Sequence, residues 1–211
     1  MLFDFAALSP EERYKLLIST VVPRPIAWVV TQGLDGRLNA APFSFFNVFG
    51  GDPPVVVIGI GGRAPGDIKD TGRNIRETGE FVVNLVGDET ARQMNITAIE
   101  FSSAVDEIAE ADLHTLPSTK VKPPRIAESP VALECERFMI LELNVDRALI
   151  VGRVVAMHVR DDCVLDAASC YIDTPKLNLI GRMHGRGWYA RTTDRFDMPR
   201  IAVEDWKKHG G

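Results

Sequence analysis

Apolar and polar positions along this chain predict a protein built mostly of β-strands. Short apolar runs rich in β-branched residues, typical of buried strands, occupy residues 26–31, 38–48, 55–60 and 81–86. Two longer runs, 131–143 and 148–159, are separated by only a short turn. Because this turn leaves no room for a crossover helix, the two long strands are expected to be antiparallel neighbours.

Helices are predicted only around these strands. Ser9, Pro10 and Glu12 form a helix start, in which Ser9 caps and Glu12 closes the capping box. This helix is expected over about residues 9–19. Shorter helices are predicted from Lys69 to Gly79, near 88–95 and near 105–111, and the proline-rich residues 117–130 are predicted to be an extended surface connection. Antiparallel strands with peripheral helices indicate a closed or partly closed barrel.

Composition narrows the class of protein. A length of 211 residues, with 45% apolar and 25% charged residues, fits one globular domain. A net charge of −5 and no visible basic stripe argue against nucleic-acid binding. The apolar runs are too short to span a membrane, and no signal peptide is expected at the start. Three cysteines without CxxC spacing fit a reducing cytosol, and no metal-ligand spacing predicts a metal site.

Lys69, Asp70 and Thr71 are the strongest candidate for a binding site. They follow a predicted strand and a Gly-rich connection (59–66), and they open a predicted helix. Backbone N–H groups at a helix start, the helix dipole, a lysine and a hydroxyl together suit a phosphate group. The alternative is an ordinary solvated helix start with mixed charges.

A second motif points to a different class of protein. Residues 59–64 match the dinucleotide fingerprint GxGxxA, and Asp88 lies at about the distance of a ribose-binding acid. Pro65 and Gly66 fall where the helix should already run, however. The two long strands after Val131 are also joined without a helix, which a doubly wound parallel sheet does not allow. The dinucleotide-binding enzyme is therefore the weaker alternative.

Several short motifs occur in the order in which one known family carries them. These are 24–27 (RPIA), 39–47 (NAAPFSFFN), 52–54 (DPP), 69–71 (KDT), 74–75 (NI), 79–85 (GEFVVNL) and 134–135 (EC). Over residues 22–198 the chain resembles the flavin reductase-like FMN-binding split-barrel family. The resemblance implies a mainly β, Greek-key antiparallel split barrel with peripheral helices. It divides the chain into a helix (about 9–19), a barrel core (22–172) and a C-terminal extension (173–211), and it implies a homodimer with FMN near the interface.

The resemblance also assigns residues. In that family the residues matching 44–47 lie along the flavin, and those matching 69–71 hold the phosphate end. The residues implied to bind the cofactor are Arg24, Thr31, Ser44, Phe45, Phe46, Asn47, Lys69, Asp70, Thr71 and Asn74. Arg182 and His184 are expected to contact the substrate, because the tail segment 181–185 departs from the small residues of many relatives.

Each assignment has a structural alternative. Ser44 and Asn47 are polar groups in an apolar run, and they either meet the flavin edge or bond to nearby backbone. Strand alternation places one of Phe45 and Phe46 in the core. Thr31 either reaches the flavin or caps a turn. Arg24 either meets a phosphate or nicotinamide nucleotide or forms a surface salt bridge.

Asp70 and the histidines carry further expectations. Asp70 is expected to cap the helix first and to contact the flavin second. His158 alternates within a strand and is expected to be structural. His209 lies in the tail, and His114 has no visible partner.

The expected function is that of an FMN-dependent oxidoreductase. It would take hydride from NADH or NADPH and pass electrons to a flavin or another small acceptor, with no side-chain acid or base required. The alternative is a non-catalytic FMN-binding module that carries electrons for a partner protein.

Overall fold

Antiparallel β-strands form the centre of the computed structural model, which describes residues 1–62, 67–185, 187–203 and 206. In chain order the strands are β1 (Ala27–Gln32), β2 (Leu38–Phe43), β3 (Phe46–Gly51), β4 (Pro54–Gly61), β5 (Glu80–Leu85), β6 (Thr115–Leu116), β7 (Arg125–Ile126), β8 (Val131–Glu142), β9 (Arg147–Val159), β10 (Val164–Asp166), β11 (Tyr171–Ile172), β12 (Ile180–Arg182) and β13 (Tyr189–Arg191). One sheet of seven strands has the order β2-β1-β5-β8-β9-β4-β3, and its neighbours are all antiparallel.

The antiparallel sheet decides against the dinucleotide-binding alternative, which requires parallel strands. Asp88, the acid which that alternative would place on a ribose, is instead paired with Arg191 at 2.8 Å. Ala64 of the fingerprint and His209 lie outside the described residues.

Helices surround the sheet, as the sequence predicts. They are α1 (Pro10–Thr20), α2 (Asp70–Thr78), α3 (Ala91–Ile96) and α4 (Glu107–Glu110). In α1 the capping box is present, because Ser9 Oγ accepts from the Glu12 N–H and Glu12 accepts from the Ser9 N–H. α2 ends at Gly79, which has a φ of 76°. This left-handed conformation favours glycine. No helix in the described part of the chain is long and apolar enough to cross a membrane.

The sheet closes on itself at the connection between β2 and β3. These strands are the opposite edges of the sheet, yet only Ser44 and Phe45 separate them in the chain. The three peptide steps from Phe43 to Phe46 span at most about 11 Å. The two edges must therefore come together although they are not neighbours in the sheet, which gives the predicted split barrel.

The prediction of one strand over residues 38–48 is wrong. The chain breaks at Ser44 and Phe45, so that β2 pairs with β1 while β3 pairs with β4. The Phe45 carbonyl accepts a hydrogen bond from the Gly59 N–H at 2.7 Å. Phe43 and Phe46, on either side of the break, are both buried in the same core. The apolar pattern therefore continues through the bend and hides it.

β1 is buried on both faces and separates two cores. Ala27 and Val29 pack inside the barrel. Trp28 and Val30 pack in a second core under α3, α4 and the segment 121–126. Trp28 Nε1 donates to Thr97 Oγ1 at 2.9 Å, so the one polar atom of this large side chain is paired.

The prediction of a surface connection over residues 117–130 is wrong in part. Val121 and Ile126 are buried in the second core. The strand Arg125–Ile126 also pairs with Thr115–Leu116. A Pro-rich segment has few regular backbone hydrogen bonds, so side chains must hold it in place.

Glu134 in β8 holds this segment to the sheet. Its carboxylate is fully buried and accepts hydrogen bonds from the N–H groups of Thr119 (2.7 Å), Lys120 (2.5 Å) and Val121 (3.2 Å). His158 Nε2 lies 2.6 Å from the same carboxylate, in keeping with the structural role predicted for it. Burial acts to raise the pKa of Glu134, but the hydrogen bonds outweigh it, and the pKa lies below its usual value.

The tail returns to the start of the barrel. Strands β12 and β13 form a hairpin, and Arg182 in β12 bridges to Arg24 through two backbone hydrogen bonds of 2.8 Å. The C-terminal hairpin is therefore attached next to the end of α1.

Replacing Glu134 with Gln should lower the free energy of unfolding by about 2–3 kcal/mol, because an amide cannot accept from all four donors. Urea denaturation at neutral pH measures the change. Glu136→Gln, an exposed position on the same strand, is the matched control and should have little effect.

The effect of Glu134→Gln should also depend on pH. The pKa of Glu134 is lower in the folded protein than its ordinary value of 4.5. The contribution of the ionised Glu134 carboxylate to the free energy of unfolding is therefore fully present above pH 4.5. It is lost as the pH falls through the folded-state pKa. The difference in the free energy of unfolding between wild type and Glu134→Gln should become smaller in acid. A difference independent of pH would contradict the role given to the Glu134 carboxylate.

Candidate functional site

The predicted phosphate segment lies where α2 meets the barrel. Lys69 is the N-cap residue, and Asp70 and Thr71 are the first two residues of the helix. The first N–H groups of a helix have no partner within it and lie at the positive end of its dipole. Asp70 is not the cap, so the helix-cap expectation is wrong; its carboxylate pairs with Arg73 at 2.6 Å.

Two side-chain hydrogen bonds attach α2 to the barrel wall. Asn39 Nδ2 in β2 donates to Thr71 Oγ1 at 2.9 Å. Asn74 Nδ2 in α2 donates to Thr31 Oγ1 in β1 at 3.0 Å. Thr31 is fully buried and holds the helix rather than capping a turn. Because Thr71 Oγ1 accepts from Asn39, the Thr71 hydroxyl hydrogen can still be donated to a ligand.

Lys69, Asp70 and Thr71 line a cavity of about 250 Å³. Pro42 of β2 also lines it. The Lys69 Nζ lies 5.8 Å from the centre of the Phe43 ring, within the range of a cation–π contact. The lysine is therefore placed against the end of β2 rather than free in solvent.

Glu107 of α4 adds an acid to the same cavity. It is buried and accepts a hydrogen bond from the Ala40 N–H at 3.3 Å. Burial raises the pKa of Glu107, and the nearby carboxylates of Asp70 and Asp106 raise it further. Glu107 therefore ionises less readily than a free glutamate, and Asp70 and Glu100 also line this cavity.

A larger cavity of about 460 Å³ adjoins the bend between β2 and β3. The structure brings together here Ser44, Phe45, Phe46 and Asn47, which are predicted to lie along the flavin. Arg24, predicted to meet a phosphate or a nicotinamide nucleotide, lines the same cavity. Phe46 is buried while Phe45 is 40% exposed, so one of the two faces the core as predicted, but the bend at Phe45 and not strand alternation sets the difference. Asn47 Oδ1 accepts from the Val48 N–H at 2.8 Å, so its amide nitrogen points to no partner among the described residues.

The two cavities adjoin one short stretch of chain. Pro42 lines the smaller one and Ser44 lines the larger one. Two residues span at most about 7 Å. The two lining positions are therefore close together, on either side of Phe43.

Arg24 is fixed by the end of α1. Its Nη1 donates to the carbonyls of Ile18 (2.7 Å) and Val21 (3.0 Å). Its Nε lies 3.4 Å from Ser44 Oγ. The guanidinium is buried, and it has no salt bridge to any described carboxylate, so the expectation of a surface salt bridge is wrong.

The two residues predicted to bind substrate belong to the C-terminal hairpin, whose first strand bridges to Arg24 of the larger cavity. Arg182 Nη2 donates to the Gly185 carbonyl at 2.5 Å, and its guanidinium stacks over the Tyr189 ring at 4.7 Å. His184 is exposed, with its ring 6.3 Å from that of Trp188. Neither side chain lines the cavity of about 460 Å³, and their substrate role stays a prediction.

Sequence reasoning missed several residues of the site. Asn39 is a polar side chain in an apolar strand, the same signal that drew attention to Ser44. Tyr14 of α1 packs edge-on against Phe45, with ring centres 6.1 Å apart. Arg147 lines the larger cavity from the start of β9. No local pattern in the sequence identifies Tyr14 or Arg147, because both reach the site through the tertiary fold.

Comparison with known proteins agrees with this fold. Residues 19–175 match the model of the flavin reductase like domain. The structure of Pseudomonas fluorescens 2-nitrobenzoate 2-nitroreductase is similar at 32% identity and a TM-score of 0.88, covering 96% of this chain and 98% of that one. Nitrilotriacetate monooxygenase component B from Bacillus cereus is similar at 30% identity and a TM-score of 0.87, covering 94% and 98%.

A more distant structure supports the fold. A Shewanella frigidimarina protein with a split barrel domain has a TM-score of 0.80 at 20% identity, covering 95% of this chain and all of that one (100%). The family match begins within α1 and ends before β12, so most of α1 and the C-terminal hairpin lie outside it.

Proposed function

The chain belongs to the flavin reductase-like domain family, and from this premise we propose that it is a cytosolic FMN-dependent oxidoreductase. The observation that carries the proposal is the pair of adjoining cavities, one at a helix start with a lysine and one apolar beside a strand bend. FMN has the matching shape, with a phosphate at one end and a flat ring at the other. The three free cysteines support a reducing compartment.

The phosphate end would be held by α2. The Lys69 ammonium supplies charge, the Thr71 hydroxyl can donate, and the positive end of the helix dipole favours an anion at this helix start. The bonds from Asn39 and to Thr31 keep the helix start in position before a ligand arrives. Binding therefore needs little rearrangement of the protein.

The ring end would lie beside residues 44–47. Ser44 and Asn47 offer polar groups to the edge of the ring, while the phenylalanines supply apolar walls. Bound FMN would supply the redox chemistry, taking a hydride from NADH or NADPH and passing the electrons to a flavin or another small acceptor. The protein's own task is to orient the two reactants and to exclude water.

A second function is a non-catalytic FMN module that carries electrons for a partner protein. One similar structure is named as component B of a monooxygenase, which suits a protein working beside another. The other is named as a nitroreductase, which suits an enzyme that acts on a small molecule. The buried Arg24 on the wall of the larger cavity favours the enzyme, because it offers a charge that could bind a second ligand beside FMN. A protein that only carries electrons does not need to bind a second small molecule.

We also propose a homodimer in which a second copy covers part of the larger cavity. Phe49 and Leu143 line that cavity but are 67% and 56% exposed. Phe138 and Leu141 continue the exposed apolar strip along β8. Exposed apolar strips of this kind mark interaction surfaces, and here a second copy would complete the wall of the site.

Anaerobic addition of NADH or NADPH to the FMN-loaded protein should bleach the flavin absorbance. At least one of the two nicotinamides should reduce the bound flavin fast enough to support catalytic turnover. Tight FMN retention with no bleaching by either would instead favour the non-catalytic module.

Lys69→Ala should weaken FMN binding by about 1.5–3 kcal/mol, or about 10–100-fold in Kd, because it removes a charged partner of the phosphate. Fluorescence titration of flavin-free protein measures the affinity. Lys122→Ala, an exposed lysine on the 117–130 segment, is the control. An unchanged Kd for the Lys69 variant would place the phosphate elsewhere.

Light scattering coupled to gel filtration should give twice the mass of the chain at micromolar concentration. Leu141→Glu should shift the protein toward monomer, because it places a charge in the apolar strip. Leu165→Glu, at an exposed leucine of β10 away from the strip, should leave the mass unchanged. A monomeric wild type would overturn the dimer proposal.

A further inference from the structure

Arg24 is a buried cation without a carboxylate partner in the described part of the chain. It is only 6% exposed. Its hydrogen bonds go to two carbonyls and one hydroxyl, all uncharged. Buried charges in proteins are normally paired, because removing a cation from water is costly. An unpaired buried arginine on a cavity wall therefore points to an anion supplied by a ligand.

One edge of the Arg24 guanidinium remains available. The Nη2 atom makes no hydrogen bond with a described residue. It is also not among the buried unpaired side-chain atoms of the described chain, which are Gln93 Oε1 and Arg125 Nε. Nη2 therefore keeps access to open space. The carbonyls at the end of α1 fix the plane of the guanidinium, so its free N–H groups have a set direction.

The cavity beside Arg24 has a charge pattern that suits an apolar anion. Its described wall contains two arginines, Arg24 and Arg147, and neither aspartate nor glutamate. Arg147 is exposed, and its side chain makes no ion pair or hydrogen bond with described residues. The rest of the wall is mostly apolar, including the exposed rings of Phe45 and Phe49.

This anion site is separate from the one at α2. Lys69, Thr71 and the helix start provide for one phosphate in the smaller cavity. The two arginines line the larger cavity, and neither lines the smaller one. If FMN places its phosphate at α2, the arginines are left for a different ligand.

We propose that the second substrate is an aromatic carboxylate, bound in the larger cavity by Arg147 and the free edge of Arg24. A guanidinium presents two parallel N–H groups that match a carboxylate. Phe49 would pack against the aromatic ring, which leaves residues 44–47 to the flavin. This inference rests on the proposed function, since residues 44–47 place bound FMN beside the same cavity.

Calorimetric titration of FMN-loaded protein with benzoate and with benzamide tests the proposal. The two probes have nearly the same shape and differ in charge. Benzoate should bind at least about tenfold more tightly, and Arg147→Gln should remove most of that preference. Arg92→Gln, an exposed arginine of α3, is the control and should keep it. The Arg147 side chain is exposed and has no partner among the described residues, so its variant should fold normally.

Three results would overturn the proposal. Equal affinity for benzoate and benzamide would show that the cavity does not select an anion. A loss of FMN affinity in Arg147→Gln, with the benzoate preference intact, would assign this arginine to the cofactor phosphate. Weaker binding of NADH alone in that variant would assign it to the nicotinamide nucleotide.

Failure of the proposed function can be told apart from failure of this inference. Bleaching of the flavin by NADH or NADPH is measured without any acid present. If benzoate is preferred through Arg147 but neither nicotinamide bleaches the flavin, the acid site is supported and the reductase function is contradicted. If the flavin is bleached but benzoate and benzamide bind equally, the reductase function is supported and the acid site is contradicted.

Discussion

The two-residue link between β2 and β3 is the constraint on which the rest of this structure depends. It joins opposite edges of a seven-stranded sheet, so the sheet has to curl until those edges meet. The bend then lies at the rim of the barrel, with α2 on one side of Phe43 and the end of α1 beside Ser44. Both candidate cavities open there because the chain turns there.

Buried polar side chains fix the peripheral pieces around this bend. Asn39 and Thr31 hold α2, Arg24 holds α1, and Glu134 holds a Pro-rich segment that has little regular pairing of its own. Each of these contacts ties an element to the barrel wall by side-chain hydrogen bonds. The site therefore depends on a few polar groups whose loss would leave buried donors or acceptors unpaired.

Much of this could be predicted from the sequence where local signals are strong. The capping box at Ser9, the Gly79 helix end and the antiparallel pairing of the two long strands follow from residue types and spacing. The break at Ser44 could not be predicted, because apolar residues on both sides face the same core. Arg147 and Tyr14 reach the site only through long-range packing. Asn39 could have been found by the polar-in-apolar-strand argument applied to Ser44.

We propose above all that FMN lies across the bend, with its phosphate at α2 and its ring beside residues 44–47. A crystal structure of the FMN-loaded protein tests it most directly. The expected result is a phosphate within hydrogen-bonding distance of Lys69 and Thr71, with the two arginines of the larger cavity free of it. A phosphate bound to Arg24 and Arg147, with Lys69 in solvent, would contradict the claim.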